Sequence, residues 1–148
     1  PRQSARAIVP TIITQLLSGA DTIELGSTEP TRDLMFVADT CEGLTAVGTS
    51  DEAMGKTVNL GTGTEISIGG LFDKLREILG SEATLKQSSE RLRPVSSEVS
   101  RLCCDASLAK HLTGFKSSVD LDTGLKRTVE WFKDPKNLRR YKGNIYNL

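Results

Sequence analysis

A chain of 148 residues with 37% hydrophobic side chains is enough for one modest core. Its 19 basic and 19 acidic side chains cancel, which removes the global field that would draw it to nucleic acid or an anionic membrane; any phosphate must be recognised by individually placed arginines. No apolar run approaches the roughly 20 residues that cross a bilayer, and the N-terminus has no signal-peptide pattern.

The chain starts at Pro1 without an initiator methionine, which fits an excised domain, a processed product or an incomplete reading frame equally well. After the polar entry Pro1–Arg6, Ala7–Leu17 has the spacing of a helix, with Ile8, Val9, Ile12, Ile13 and Leu16 on one broad face. Pro10 is early enough in it to cost little, and Gly19 is the expected left-handed cap. Thr22–Leu25 alternates as a strand. Leu34-Met35-Phe36-Val37 is apolar enough for a buried strand, and Asp39 is placed to cap the helix that follows. That helix is predicted over Thr40–Ser50, burying Leu44 and Val47.

Lys56–Leu60 reads as a third strand, followed by a turn at Gly61-Thr62-Gly63. Ser67 is the predicted cap of a helix through Leu71, Phe72, Leu75, Ile78 and Leu79, stopped by Gly80. Ala83–Gln87 is a further strand, and Ser88–Arg101 is polar and irregular around Pro94. Asp105 suits the cap of a helix containing Leu108 and Leu112. Leu121–Lys133 follows helical spacing behind Asp120, and residues 134–148 form a basic, tyrosine-bearing tail with few apolar anchors. Strands alternating with helices give an α/β class, with residues 1–133 as the folded domain.

Among chemistry-bearing residues, Cys41, Cys103 and Cys104 are odd in number and lack metal spacing. Adjacent cysteines bridge poorly, so all three are expected as reduced thiols in a cytoplasmic protein. His111, the lone histidine, is expected on a helix surface. Gly61-x-Gly63 lacks the third glycine of a dinucleotide fingerprint, since Ile66 stands there, and a tight turn is the better reading. Arg32-Asp33 can offer a planar fork to a phosphate from a strand end; the residues alone favour a solvated ion pair. Arg6 alone reads as a solvated residue of the first helical turn. Asn59 alone could satisfy neighbouring backbone, and Arg91-Leu92-Arg93-Pro94 alone is a basic loop.

Five stretches in order are similar to one family. Thr31-Arg32-Asp33-Leu34-Met35-Phe36-Val37-Ala38-Asp39 resembles the Arg-Asp-aromatic motif of the extended short-chain dehydrogenase/reductases, the NAD-dependent epimerase/dehydratase family. Pro1-Arg2-Gln3-Ser4-Ala5-Arg6 resembles its Gly-Pro-Arg-Gln junction without the leading glycine. Asn59-Leu60-Gly61-Thr62-Gly63-Thr64-Glu65-Ile66-Ser67 matches its Asn-x-Gly-x-Gly-x-x-x-Ser stretch. Arg91-Leu92-Arg93-Pro94-x-x-x-Glu98 looks like its Arg-Pro-x-x-acid loop, and Asp105-x-Ser-x-x-Lys110 with Gly114-Phe115 completes the set. The combination is closest to the branch that dehydrates UDP-linked N-acetylhexosamines at positions 4 and 6.

The resemblance implies the small C-terminal substrate domain of that fold without its Rossmann half. It implies a nucleotide-sugar, specifically a UDP-sugar, as ligand, held by Arg6, Arg32, Asn59, Arg93 and Glu98, the two arginines from separate loops clamping the diphosphate. It implies NAD for the complete family enzyme but no cofactor for this chain alone. No Tyr-x-x-x-Lys pair is present: Ile145 stands four after Tyr141, and Tyr146 has too few residues behind it. That pair is the family's proton donor and acceptor, so no catalytic residue and no independent activity are expected. The other reading is a stand-alone, self-associating scaffold with a vestigial sugar site. In either case the face that normally meets the Rossmann half should be apolar and recruit that half or a second copy.

Overall fold

The computed structural model describes residues 2–91 and 98–141. The chain divides into two compact units: residues 1–30, 67–100 and 125–148 form the first, and residues 31–66 and 101–124 the second.

The first unit is built on α1 (Ile8–Leu17), β1 (Thr22–Leu25), α3 (Ile68–Leu79) and β4 (Thr84–Gln87). β1 and β4 run parallel in register, Thr22 opposite Thr84 and Leu25 opposite Gln87. α1 lies on α3. Ile12, Ile13, Ile23, Leu71 and Leu75 are almost fully buried, each contributing about 1.5–3 kcal/mol by leaving water. The caps of α3 are those its sequence predicts: Ser67 Oγ accepts from Gly70 N at 3.0 Å, and Gly80 ends the helix in the left-handed region at φ 61°. Gln15 adds a polar tie from α1 to β1, accepting from Glu24 N at 3.1 Å.

α5 (Leu121–Lys133) begins in the second unit and ends in the first. It spans the residues its periodicity predicts, with Asp120 accepting from Thr123 N at 2.8 Å. Leu125, Val129 and Phe132 are its buried face. The chain then continues into further structure: Asp134 caps a short α6 (Pro135–Leu138) through Lys136 N, and Asn137 Nδ2 donates to Trp131 O at 2.9 Å. Residues expected as a tail therefore begin as a packed continuation of α5, anchored by polar and aromatic contacts that an apolar-residue count does not register.

The second unit holds a three-stranded sheet in the order β3 (Glu65–Ser67), β2 (Thr31–Asp33), β5 (Arg101–Leu102). β2 and β5 are parallel, Thr31 opposite Arg101. α2 (Val37–Gly48) and α4 (Ser107–Thr113) pack together, and Ser50 Oγ donates to Leu112 O at 3.2 Å.

Four local expectations are corrected here. The strand is Thr31–Asp33, while Leu34–Phe36 has no regular structure and Val37 already begins α2. Asp39 thus falls inside the first turn rather than at the cap, which is Phe36. Leu44 is 61% exposed; the buried positions of α2 are Asp39 and Gly43. Gly43 is confined because a Cβ there would come within 3.0 Å of Leu60 and Phe115, so the helix is seated by its smallest residue rather than by a leucine. Lys56–Leu60 is not a strand; the sheet residue of that region is Glu65–Ser67, beyond the glycine turn.

Candidate functional site

Asp33 organises the second unit. Its Oδ1 and Oδ2 accept from Thr62 N, each at 3.1 Å, and Oδ1 from Thr62 Oγ1 at 2.6 Å. Oδ2 also accepts from Gly63 N at 2.9 Å and from Cys104 N at 3.2 Å. One carboxylate at the end of β2 therefore gathers the glycine turn and the chain leaving β5. Partial burial pushes its pKa up, but the bonds from Thr62, Gly63 and Cys104 together outweigh that and hold it below the ordinary aspartate value. The turn amides that a dinucleotide loop would offer to a phosphate are thus occupied by Asp33, in keeping with the tight-turn reading of Gly61-Thr62-Gly63.

This cradle fixes the residue beside it. Arg32 is half-buried on β2, and its Nη1 donates to Thr31 O at 2.7 Å. Thr31 Oγ1 in turn donates to Glu65 at 2.7 Å, and Glu65 accepts from Arg101 Nε at 2.8 and 3.0 Å. Those bonds, first from Thr31 and then from Arg101, lower the pKa of Glu65. Arg32 therefore projects from a strand held on both sides. Asn59 is exposed, and its side chain makes no hydrogen bond among the described residues, so the reading in which it satisfies neighbouring backbone is not what the structure shows.

Of the other nominated residues, Arg6 is exposed, its amide donating to Ser4 Oγ at 3.2 Å, and Glu98 is half-buried; both belong to the first unit. Arg93 lies outside the described residues. Arg32 and Asn59 share the second unit.

Two polar centres were not singled out as such from the sequence. The sequence pairs Asp33 with Arg32; in the structure its carboxylate accepts from Thr62, Gly63 and Cys104. Asp39 is only 1% exposed and accepts four bonds from one short loop: Ser117 Oγ at 2.7 Å, Ser118 N at 3.1 Å and Val119 N at 3.0 Å on Oδ2, and Ser118 Oγ at 3.0 Å on Oδ1. The adjacent serines Ser117-Ser118 were the available signal, because a buried carboxylate needs such donors.

A cavity of about 560 Å³ opens in the second unit between the Gly61–Ile66 turn, Cys104–Ser107 and Lys116–Leu121, with Lys110 and Phe115 in its wall. Neither Arg32 nor Asn59 lines it. Cys104, at its edge, is a poor nucleophile: burial raises its pKa, and the carboxylates of Asp33 and Asp105 raise it further. His111 is exposed on α4. Among the described residues no group of histidine, cysteine and carboxylates is disposed to hold a metal, and no helix is long and apolar enough to cross a membrane.

The α/β fold matches the C-terminal part of the epimerase/dehydratase fold of the extended short-chain dehydrogenase/reductases. The family model described as GDP-mannose 4,6 dehydratase matches residues 1–128, and the chain belongs to that family. It is 31% identical over 128 residues to a putative UDP-glucose 4-epimerase of Methanocaldococcus jannaschii, covering 86% of this chain and 39% of the relative. It superposes with TM-score 0.80 on the UDP-glucose 4-epimerase of Thermotoga maritima solved with UDP-glucose, at 27% identity over 93% of this chain and 43% of that one. The Bordetella bronchiseptica enzyme WbmF, solved with NAD+ and UDP, is 31% identical with TM-score 0.73, over 91% of this chain and 38% of its own. The chain thus spans about two fifths of the length of these relatives.

Proposed function

We propose that this chain is the nucleotide-sugar-binding portion of an NAD-dependent epimerase or 4,6-dehydratase, with a UDP-sugar as ligand. Arg32 supplies a guanidinium to the diphosphate and Asn59 a neutral amide, both from the second unit; Arg6 and Arg93 supply further cations and Glu98 an acceptor for the ribose. The observation that carries this reading is the Asp33 cradle. Two separated segments, the glycine turn and the chain after β5, are tied to one carboxylate on β2, and that outlay of hydrogen bonds holds β2, hence Arg32, in place.

The residues fit a binding role better than a catalytic one. Among the groups assigned to the site are cations, an amide and an acid, with neither a phenol–lysine pair nor a dinucleotide loop. NAD, when bound by a complete family enzyme, takes a hydride from the sugar; the residues here bind and orient the diphosphate and leave the proton and the hydride to other groups.

Exposed apolar residues indicate where such groups are supplied. Val37 is 45% exposed and Leu44 61%, with exposed Cys41 between them. Their spacing puts all three on one stripe of α2. This stripe is the docking face for a cofactor-binding half, which would cover a helix that otherwise carries its apolar side in water.

The test of the site is a calorimetric titration with UDP-N-acetylglucosamine. Saturable heat at millimolar ligand is expected. Arg32→Ala should weaken binding by about tenfold, the worth of one charge-assisted contact. Lys110→Ala, in the wall of the separate cavity, should leave it unchanged. Equal affinity for the Arg32 variant and the parent would overturn the assignment.

A further inference from the structure

The first unit carries a contact that binding alone does not account for. Tyr141 Oη donates to the backbone carbonyl of Gln3 at 2.7 Å, across 138 positions of sequence. Its ring is set by aromatic neighbours: it meets Phe132 at 4.8 Å between centroids and 61°, and Trp131 at 6.2 Å and 88°. Trp131 and Phe132 are themselves edge-to-face at 5.0 Å. Such pairs orient rings as well as bury them, so the hydroxyl is aimed from a rigid base.

The segment it grips needs holding. Arg2 has φ 61°, the only non-glycine residue with positive φ among the described residues, a conformation that side chains with a Cβ adopt at a cost. Three residues on from Arg2, the chain is gripped again: Thr11 Oγ1 donates to Ala5 O at 3.2 Å and to Ala7 O at 2.9 Å. The carbonyls of Gln3 and Ala5 are therefore pinned by Tyr141 and by α1. Arg2 and Arg6, both exposed, flank the pinned stretch.

We infer that Tyr141 is a positioning residue for nucleotide-sugar binding: its hydroxyl fixes the Arg2–Arg6 segment so that the Arg6 guanidinium is presented to the ligand's diphosphate. The inference rests on the reading of the site given above. Ordering a flexible arginine-bearing segment in advance removes an entropic cost from binding. It makes Tyr141 part of the ligand-binding apparatus without its touching the ligand.

The test is a double-mutant cycle on the full chain, with UDP-N-acetylglucosamine affinity as readout. Tyr141→Phe keeps the ring and removes only the hydroxyl. It is expected to speed amide exchange in residues 3–6 and to weaken binding about fivefold. In the Arg6→Ala background the same change should have almost no effect on affinity, because there is no guanidinium left to position. A merely structural hydroxyl would lower affinity by the same factor in both backgrounds, and that result overturns the inference, as does a Tyr141→Phe variant that binds like the parent. A parent chain that gives no heat overturns the site itself, and the positioning role with it, and is told apart from those outcomes by the parent titration alone.

Discussion

Asp39→Ala is expected to destabilise the protein by about 4 kcal/mol, because four donors aimed at one buried carboxylate lose their acceptor together. Ser117 and Ser118 can turn their hydroxyls elsewhere; Ser118 N and Val119 N are backbone and cannot. Asp39→Asn should cost only about 1 kcal/mol. The amide oxygen can take the Oδ2 position with its three donors, and the amide nitrogen can donate to Ser118 Oγ, whose hydroxyl is free to rotate. Urea midpoints at neutral pH measure both.

The parent and the Asp39→Asn variant also separate by pH. Burial pushes the Asp39 pKa up, but bonds from Ser117, Val119 and Ser118 together bring it below the ordinary aspartate value. A carboxyl with a lowered folded-state pKa stabilises the fold fully above the unfolded value of about 3.9, and this is lost as pH falls through the folded one. The parent should therefore lose stability faster than Asp39→Asn on acidification below about pH 4, and the gap between them should narrow. Asp33, lowered in the same way, contributes to the acid limb of both.

Gly61→Ala is the second large effect, at about 3 kcal/mol. A Cβ at this position would fall onto Cys104 Cβ, with Cys104 Sγ at 2.8 Å and Asp33 Oδ2 at 2.9 Å. Neither neighbour is the loose end of a long side chain. The chain after β5 must move, and it takes the Cys104 amide away from Asp33. Ligand affinity should fall with stability, since Arg32 adjoins the disturbed carboxylate. Cys104→Gly in the same chain removes the two nearest atoms in conflict and leaves Asp33 Oδ2 at 2.9 Å, so it should recover part of the loss. A Gly61→Ala variant as stable as the parent would mean that the turn is not seated on Asp33.

These two residues mark how far the sequence could be read. The caps at Ser67 and Gly80 and the span of α5 were legible because local chemistry decides them: an oxygen for free amides, a residue tolerant of positive φ, an unbroken apolar period. The family was legible from five ordered motifs. Asp39 was not, because an acid behind Leu34–Val37 looks like a cap whenever that run is taken for a strand, and only Thr31–Asp33 pairs. Its true partners lie about eighty residues on, beyond any local rule. Leu44 was misplaced for a related reason: helical spacing shows that it shares a stripe with Val37 and Cys41, but not whether anything covers that stripe. Tyr141 was invisible because it bonds a carbonyl, which has no residue type to recognise.

The central claim is that this chain holds the nucleotide-sugar and not the cofactor. Side-by-side titrations of the purified chain with UDP-N-acetylglucosamine and with NAD test it most directly, with the mixture assayed for a 4-keto sugar. Saturable heat from the UDP-sugar, none from NAD and no keto product is the predicted result. Tight NAD binding, keto product from the chain alone, or silence toward the UDP-sugar would contradict it.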